Sequence, residues 1–183
     1  MPLDDLEQAL AGLAAAPPAR VFDRITARWT RATSPLGDVD VAYTEHGVAW
    51  LRPAALGTLA EEFKARFARP LLRTDHPPAA LTDALATGDG GGLDYDLTWL
   101  TPFASSVLSA ARTIPRGQVR PYTWIAERIG NPKAVRAVGS ALGHNPVPLL
   151  IPCHRIVRAD GLGQYIFGVD AKTTLLRGEG AIE

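Results

Sequence analysis

Apolar positions in the first half of the chain recur mainly at a spacing of two, and those of the second half mainly at three and four. Asp4 to Ala16 is Ala/Leu-rich and predicts a short helix, stopped by Pro17-Pro18. Val21 to Ala32 has strand-like spacing, and Ser34-Pro35-Leu36-Gly37 is a turn signal. Val39, Val41 and Tyr43 alternate with Asp38, Asp40 and Ala42, which predicts a second strand. His46-Gly47 turns the chain tightly into a third, Val48 to Leu51. Leu59, Phe63 and Phe67 lie on one side of a helix predicted over Leu56 to Phe67. The result is a small antiparallel sheet with a helix on it.

Pro77 to Leu85 predicts a further short helix, and Gly88-Asp89-Gly90-Gly91-Gly92 reads as a flexible connection. From Thr101 the pattern is helical. Phe103, Val107, Leu108 and Ala111 define an amphipathic helix ending before Pro115-Arg116-Gly117. Tyr122 to Ile129 and Ala134 to Leu142 predict two more, separated by Gly130-Asn131-Pro132. The expected class is α+β. A supporting α/β domain spans 1–92, with residues 1–20 as an extension, and a mostly helical domain spans 93–183.

Composition narrows this reading. With 46% apolar and 21% charged residues and a mean hydropathy of +0.01, the chain can bury a core. No apolar run approaches the ~20 residues that span a bilayer. The opening MPLDDLEQAL is acidic where a secretory signal is basic, so a cytoplasmic protein without membrane contact is expected. The single cysteine, Cys153, excludes an intramolecular disulfide and a multi-cysteine zinc site. Net charge is zero, yet residues 1–100 carry 14 acidic against 9 basic side chains and residues 101–183 carry 5 against 10. That split reads either as a second half facing a polyanion or as ordinary surface variation.

Two segments carry candidate chemistry. The helix pair around Gly130-Asn131-Pro132 fits a helix-turn-helix whose second helix presents Lys133 and Arg136 among Ala134, Ala137 and Gly139. Cations neutralise phosphate and small residues allow close approach, although helix pairs of this kind also occur without DNA. Then comes Asn145-Pro146-Val147-Pro148-Leu149-Leu150-Ile151-Pro152-Cys153-His154-Arg155, stiffened by its prolines. Cys153 beside His154 and Arg155 reads either as a thiol activated by neighbouring cations or as a buried structural cysteine.

Pro152-Cys153-His154-Arg155, preceded by Asn145-Pro146-Val147-Pro148 and Arg136-Ala137-Val138-Gly139, resembles the O6-alkylguanine-DNA alkyltransferase family, the methylated-DNA–protein-cysteine methyltransferases. The likeness runs from Thr101-Pro102-Phe103 to Glu179-Gly180 and includes Gly117-Gln118-Val119, Tyr122, Gly130-Asn131-Pro132 and Lys172. The first half agrees only loosely, through Ser34-Pro35-Leu36-Gly37 and its strand pattern, and by analogy is expected to be ribonuclease-H-like.

The resemblance implies transfer of an alkyl group, chiefly methyl, from O6 of guanine in duplex DNA to Cys153. The product thioether has no easy leaving path, so each molecule reacts once. His154 would be the base through a bridging water, and Glu179 would orient it. The nucleotide must leave the stack, with Arg136 filling the gap and the helix lying in the minor groove. Lys133, Ala134, Ala137 and Gly139 would border the DNA, with Arg120 as a further contact. Tyr122 would contact the everted nucleotide and offset charge on the departing guanine. Asn145 would brace the turn into the active site, and the Cys153 and Ile156 carbonyls would accept from the exocyclic amine. Pro148, Ile156, Tyr165, Ile166 and Phe167 would form the substrate pocket.

Many members have small residues where Ile166 and Phe167 stand, so Phe167 is expected to narrow the pocket against adducts such as benzyl. No metal and no cofactor are expected, and the protein is expected to act as a monomer. Two other readings are a helix-turn-helix sensor of alkylated DNA and a cysteine hydrolase. Sensor relatives lack the cysteine, and the adjacent Cys153 and His154 do not suit a directly contacting hydrolase pair.

Overall fold

The computed structural model describes residues 24–183. The predicted Asp4–Ala16 helix lies outside them. Three strands form the expected antiparallel meander: β1 (Ala27–Ser34), β2 (Gly37–Thr44) and β3 (Gly47–Pro53). The β1–β2 turn forms because the Ser34 hydroxyl donates to the Gly37 carbonyl at 2.7 Å and accepts from the Leu36 amide at 3.2 Å. Of the predicted Val21–Ala32 strand, residues 21–23 lie outside the described residues, Arg24 and Ile25 are helical, and β1 starts at Ala27.

A short 3-10 turn, Ala54–Leu56, precedes helix α1 (Leu59–Phe67), so the helix begins three residues after its predicted start. A fourth strand, β4 (Leu71–Arg73), went unpredicted; it is only three residues long and adds to β1 in parallel. The sheet order is β3-β2-β1-β4. One face buries Ala27, Ala42 and Trp50 against Leu59 and Phe63 of α1. Phe63 is fully buried, and truncating such a side chain costs about 3–5 kcal/mol.

The other face joins the main core. Val39, Val41, Val48 and Leu51 pack in one cluster with α2 (Ala79–Thr87) and with α3 (Pro102–Arg112), α4 (Tyr122–Arg128) and α5 (Val135–Gly143). α3 starts where it should, with Pro102 in its first turn and the Thr101 hydroxyl accepting from the Ala104 amide at 3.2 Å. Gly130, at φ +73°, ends the turn after α4, where the Asn131 amide reaches the Ala126 carbonyl at 2.9 Å. Val138 and Leu142, four residues apart, are the buried side of α5, leaving Arg136 and Ala137 outside.

The glycine run between the halves is not a free tether. The Tyr95 hydroxyl sits 2.8 Å from the Gly90 carbonyl and 3.1 Å from that of Leu150. A Cβ on Gly90 would fall 2.1 Å from that hydroxyl, so only glycine fits beneath it. Beyond the helices come a 3-10 turn (Cys153–Arg155), β6 (Ile156–Val157), paired in parallel with β5 (Arg120–Pro121), and a last helix, α6 (Val169–Gly178). Among the described residues no helix is long and apolar enough to cross a membrane.

Candidate active site

The proline-rich segment becomes a strap between α5 and the 3-10 turn, and both halves of the chain grip it. The Leu51 amide donates to the Pro146 carbonyl at 2.8 Å, and Tyr95 holds Leu150. Leu149 adopts φ +78°, uncommon for a residue with a branched side chain, and is buried at the centre of the strap. Asn145 organises it from within: its carbonyl oxygen accepts from the Val147 amide at 3.0 Å, and Nδ2 donates to the Ile151 carbonyl at 3.0 Å and to Cys153 Sγ at 3.1 Å.

Cys153 is 6% exposed. Burial pushes its thiol up to about 11, against the Asn145 hydrogen bond and the charge of Lys172, which pull it down. Of the two readings of Cys153 in the sequence, activation by the flanking His154 and Arg155 is therefore not what the fold provides. Arg155 points elsewhere: Nε and Nη2 donate to the two Glu179 oxygens at 2.9 Å each, and Nη1 donates to the Ile114 carbonyl at 2.7 Å.

His154 is wholly buried, with Nε2 3.0 Å from Glu179 Oε1. The carboxylate fixes the tautomer with hydrogen on Nε2, leaving Nδ1 as a bare acceptor that has no protein partner. Burial lowers the imidazole below its ordinary range despite Glu179, so it is neutral at pH 7. Burial would raise the Glu179 carboxyl, but hydrogen bonds from His154 and Arg155 overcome that and bring it to about 2.

Lys172 is fully buried on α6, its Nζ 2.5 Å from the Ile156 carbonyl. Burial lowers it to about 8, with Cys153 acting in the opposite sense. Sequence reading marked Lys172 only as part of the likeness, yet a signal was there: it shares the apolar side of α6 with Leu175 and Leu176.

A cavity of about 140 Å³ leads to the sulfur, lined by Tyr122, Gly139, Leu142, Gly143, Tyr165 and Ile166 beside Cys153 and Gln164. Of the five residues expected to form the substrate pocket, Tyr165 and Ile166 line this cavity. Pro148, Ile156 and Phe167 stand outside the lining; Phe167 packs edge-on behind Tyr165, ring centres 5.5 Å apart. Tyr122, Gly139 and Gln164 also border a wider groove of about 720 Å³, whose banks carry Arg136 and Val135 on one side and Arg158 and Asp160 on the other.

Lys133, Arg136 and Ala137 are exposed, and Ala134 and Gly139 half-buried. Arg120 is engaged with Gln118 at 2.6 Å and with the Val119 carbonyl at 2.8 Å, so it is less available to a ligand than the sequence suggested. Among the described residues no three His, Cys, Asp or Glu side chains are grouped to hold a metal ion. The arrangement places a neutral thiol on the cavity and a neutral, carboxylate-oriented imidazole on the next residue.

The family model for the 6-O-methylguanine DNA methyltransferase DNA-binding domain matches residues 102–181. A methylated-DNA–protein-cysteine methyltransferase from Shigella flexneri is 36% identical over 143 residues, 78% of this chain and 74% of that one. One from Mycolicibacterium paratuberculosis is 38% identical over 140 residues, 75% of this chain and 74% of that one. The crystal structure of Mycobacterium tuberculosis OGT in complex with DNA superposes with a TM-score of 0.70 at 32% identity, covering 84% of this chain and 93% of that one. The cysteine on this cavity thus sits in a chain that belongs to the methylated-DNA–protein-cysteine methyltransferase family.

Proposed function

We propose that the chain carries out direct-reversal DNA repair, moving an alkyl group, chiefly methyl, from O6 of guanine in double-stranded DNA onto Cys153, once per molecule. The observation that carries this is the cavity at the thiol, which shares Tyr122, Gly139 and Gln164 with the groove beside Arg136, with Asn145 bonded to the sulfur and His154 to Glu179. A buried relay also favours acceptance of carbon over binding alone, since a sensor needs no oriented base.

The chemistry follows from charge and reach. The sulfur's proton passes through a bridging water to His154 Nδ1, while Glu179 stabilises the imidazolium that forms. Sulfur forms the new bond to carbon as the carbon–O6 bond breaks, and its electron pair stays on guanine. Tyr122 offsets that charge, and the proton taken from sulfur balances it.

Residues 122–143 act as a helix-turn-helix whose second helix lies in the minor groove, Arg136 taking the place of the everted nucleotide and Lys133 meeting phosphate. Residues 93–183 carry the reaction, and residues 1–92, which we read as ribonuclease-H-like, support the strap. The protein works as a monomer in the cytoplasm, without sequence preference or cofactor. Intact-mass measurement after mixing with a duplex bearing O6-methylguanine tests this. One methyl increment is expected, on Cys153, absent in Cys153→Ser; no increment on the wild-type chain, or release of more than one product per protein, overturns it.

A further inference from the structure

Two buried polar atoms near the sulfur have no protein partner: His154 Nδ1 and the Tyr165 hydroxyl. Buried polar groups are satisfied by protein or ordered water in nearly every case, so a shared neglect at one place points to a shared ligand. The two rings meet edge to face with centres 6.0 Å apart. Tyr165 is 8% exposed and lines the Cys153 cavity. Its hydroxyl faces the Leu149 amide without closing a hydrogen bond to it.

We infer that the Tyr165 hydroxyl is a positioning residue of the proton relay: it donates to the oxygen of the water that links Cys153 to His154. This rests on the function proposed above, and it adds a role to a residue otherwise read as a pocket wall. The bonding balances. Water has two lone pairs, and Tyr165 O–H takes one while the other receives the Cys153 proton. One water hydrogen points at His154 Nδ1, which is an acceptor because Nε2 donates to Glu179. A water needs two to four polar partners to stay in place, and this arrangement gives it three.

The groups that bear on the hydroxyl are Cys153, His154 and Glu179, with Lys172 acting on both Cys153 and His154 and Tyr122 across the cavity. Burial above all, and then Cys153 and Glu179, disfavour a tyrosinate, which keeps the hydroxyl protonated and available as a donor.

Tyr165→Phe keeps the ring and removes only the donor. With a duplex carrying O6-methylguanine, its single-turnover rate at saturating DNA is expected to fall about tenfold, the loss of one hydrogen bond, with DNA affinity unchanged. The pH profile of Cys153 labelling by iodoacetamide, which needs no DNA, is expected to move to higher pH. A wild-type rate and an unmoved labelling profile overturn the inference, as does a defect confined to DNA affinity. A variant that melts lower while its labelling profile stays in place marks a merely structural hydroxyl and also overturns it. If the wild-type chain accepts no methyl, the reading of function falls, and the labelling profile still decides whether the hydroxyl acts on Cys153.

Discussion

Arg155 and Glu179 meet through two hydrogen bonds of 2.9 Å, so the cation nearest Cys153 in sequence neutralises a carboxylate instead of the thiol. The same carboxylate holds His154, which makes Glu179 the joint between the ion pair with Arg155 and the imidazole next to Cys153. Burial of all three groups makes the arrangement intolerant of losing one charge.

Glu179→Gln tests that joint. The amide still fills the space but no longer stabilises an imidazolium, so methyl transfer is expected to slow at least tenfold while duplex binding persists. Equal rates in a single-turnover assay would remove Glu179 from the chemistry.

Between about pH 7 and pH 9 the rate should change only as Lys172, at about 8, loses the charge that bears on Cys153, and not tenfold for each pH unit. His154 is held neutral below its ordinary 6.5 and the Cys153 thiol neutral up to about 11, so the reacting pair has one protonation state across that range. Single-turnover rates against pH check this; a tenfold rise for each pH unit through neutrality would mean that solution hydroxide, and not His154, removes the proton.

Acid should unfold the protein in a window set by the same residues. Glu179 lies at about 2 in the folded chain against an ordinary 4.5, so its contribution is whole above 4.5 and is lost as pH falls toward 2. At ~1.4 kcal/mol for each pH unit this amounts to about 3 kcal/mol. His154, depressed from 6.5, adds loss beginning below that value, since the unfolded chain binds the proton first. Denaturant melts of the wild type and Glu179→Gln at pH 7 and pH 3 should converge at the lower pH; a constant gap would contradict the assignment.

Adduct size should be governed more by Ile166 than by Phe167. Ile166 lines the cavity and is 38% exposed, whereas Phe167 buttresses Tyr165 from outside it. Ile166→Gly is expected to speed reaction with a benzyl-bearing guanine more than Phe167→Gly does. The opposite order in competition assays would restore Phe167 as the barrier.

Arg136 is exposed on the groove bank and is expected to act on every sequence alike. Arg136→Ala should weaken duplex binding and lower the salt dependence by about one charge. Binding titrations over a range of salt that give parallel slopes would exclude it from the interface.

Local patterns in the chain were enough for much of the architecture. The meander, the helices α3 to α5 and the turn at Gly130 follow from alternation, apolar spacing, capping and glycine, which act over a few residues. Cys153, His154, Glu179 and Asn145 are singled out by motif order, and the fold bonds Asn145 to Cys153 and His154 to Glu179. Short segments escaped for want of length: β4 has three residues and β5 and β6 two each, too few to show a period. What tertiary structure alone decided is the electrostatics and shape around the sulfur. Adjacency in the chain puts Arg155 beside Cys153, but burial and a partner 24 residues away determine where its charge goes. The same holds for Phe167 behind Tyr165 and for Lys172 beneath Ile156, because solvation and contact depend on distance in space, which no one-dimensional pattern records.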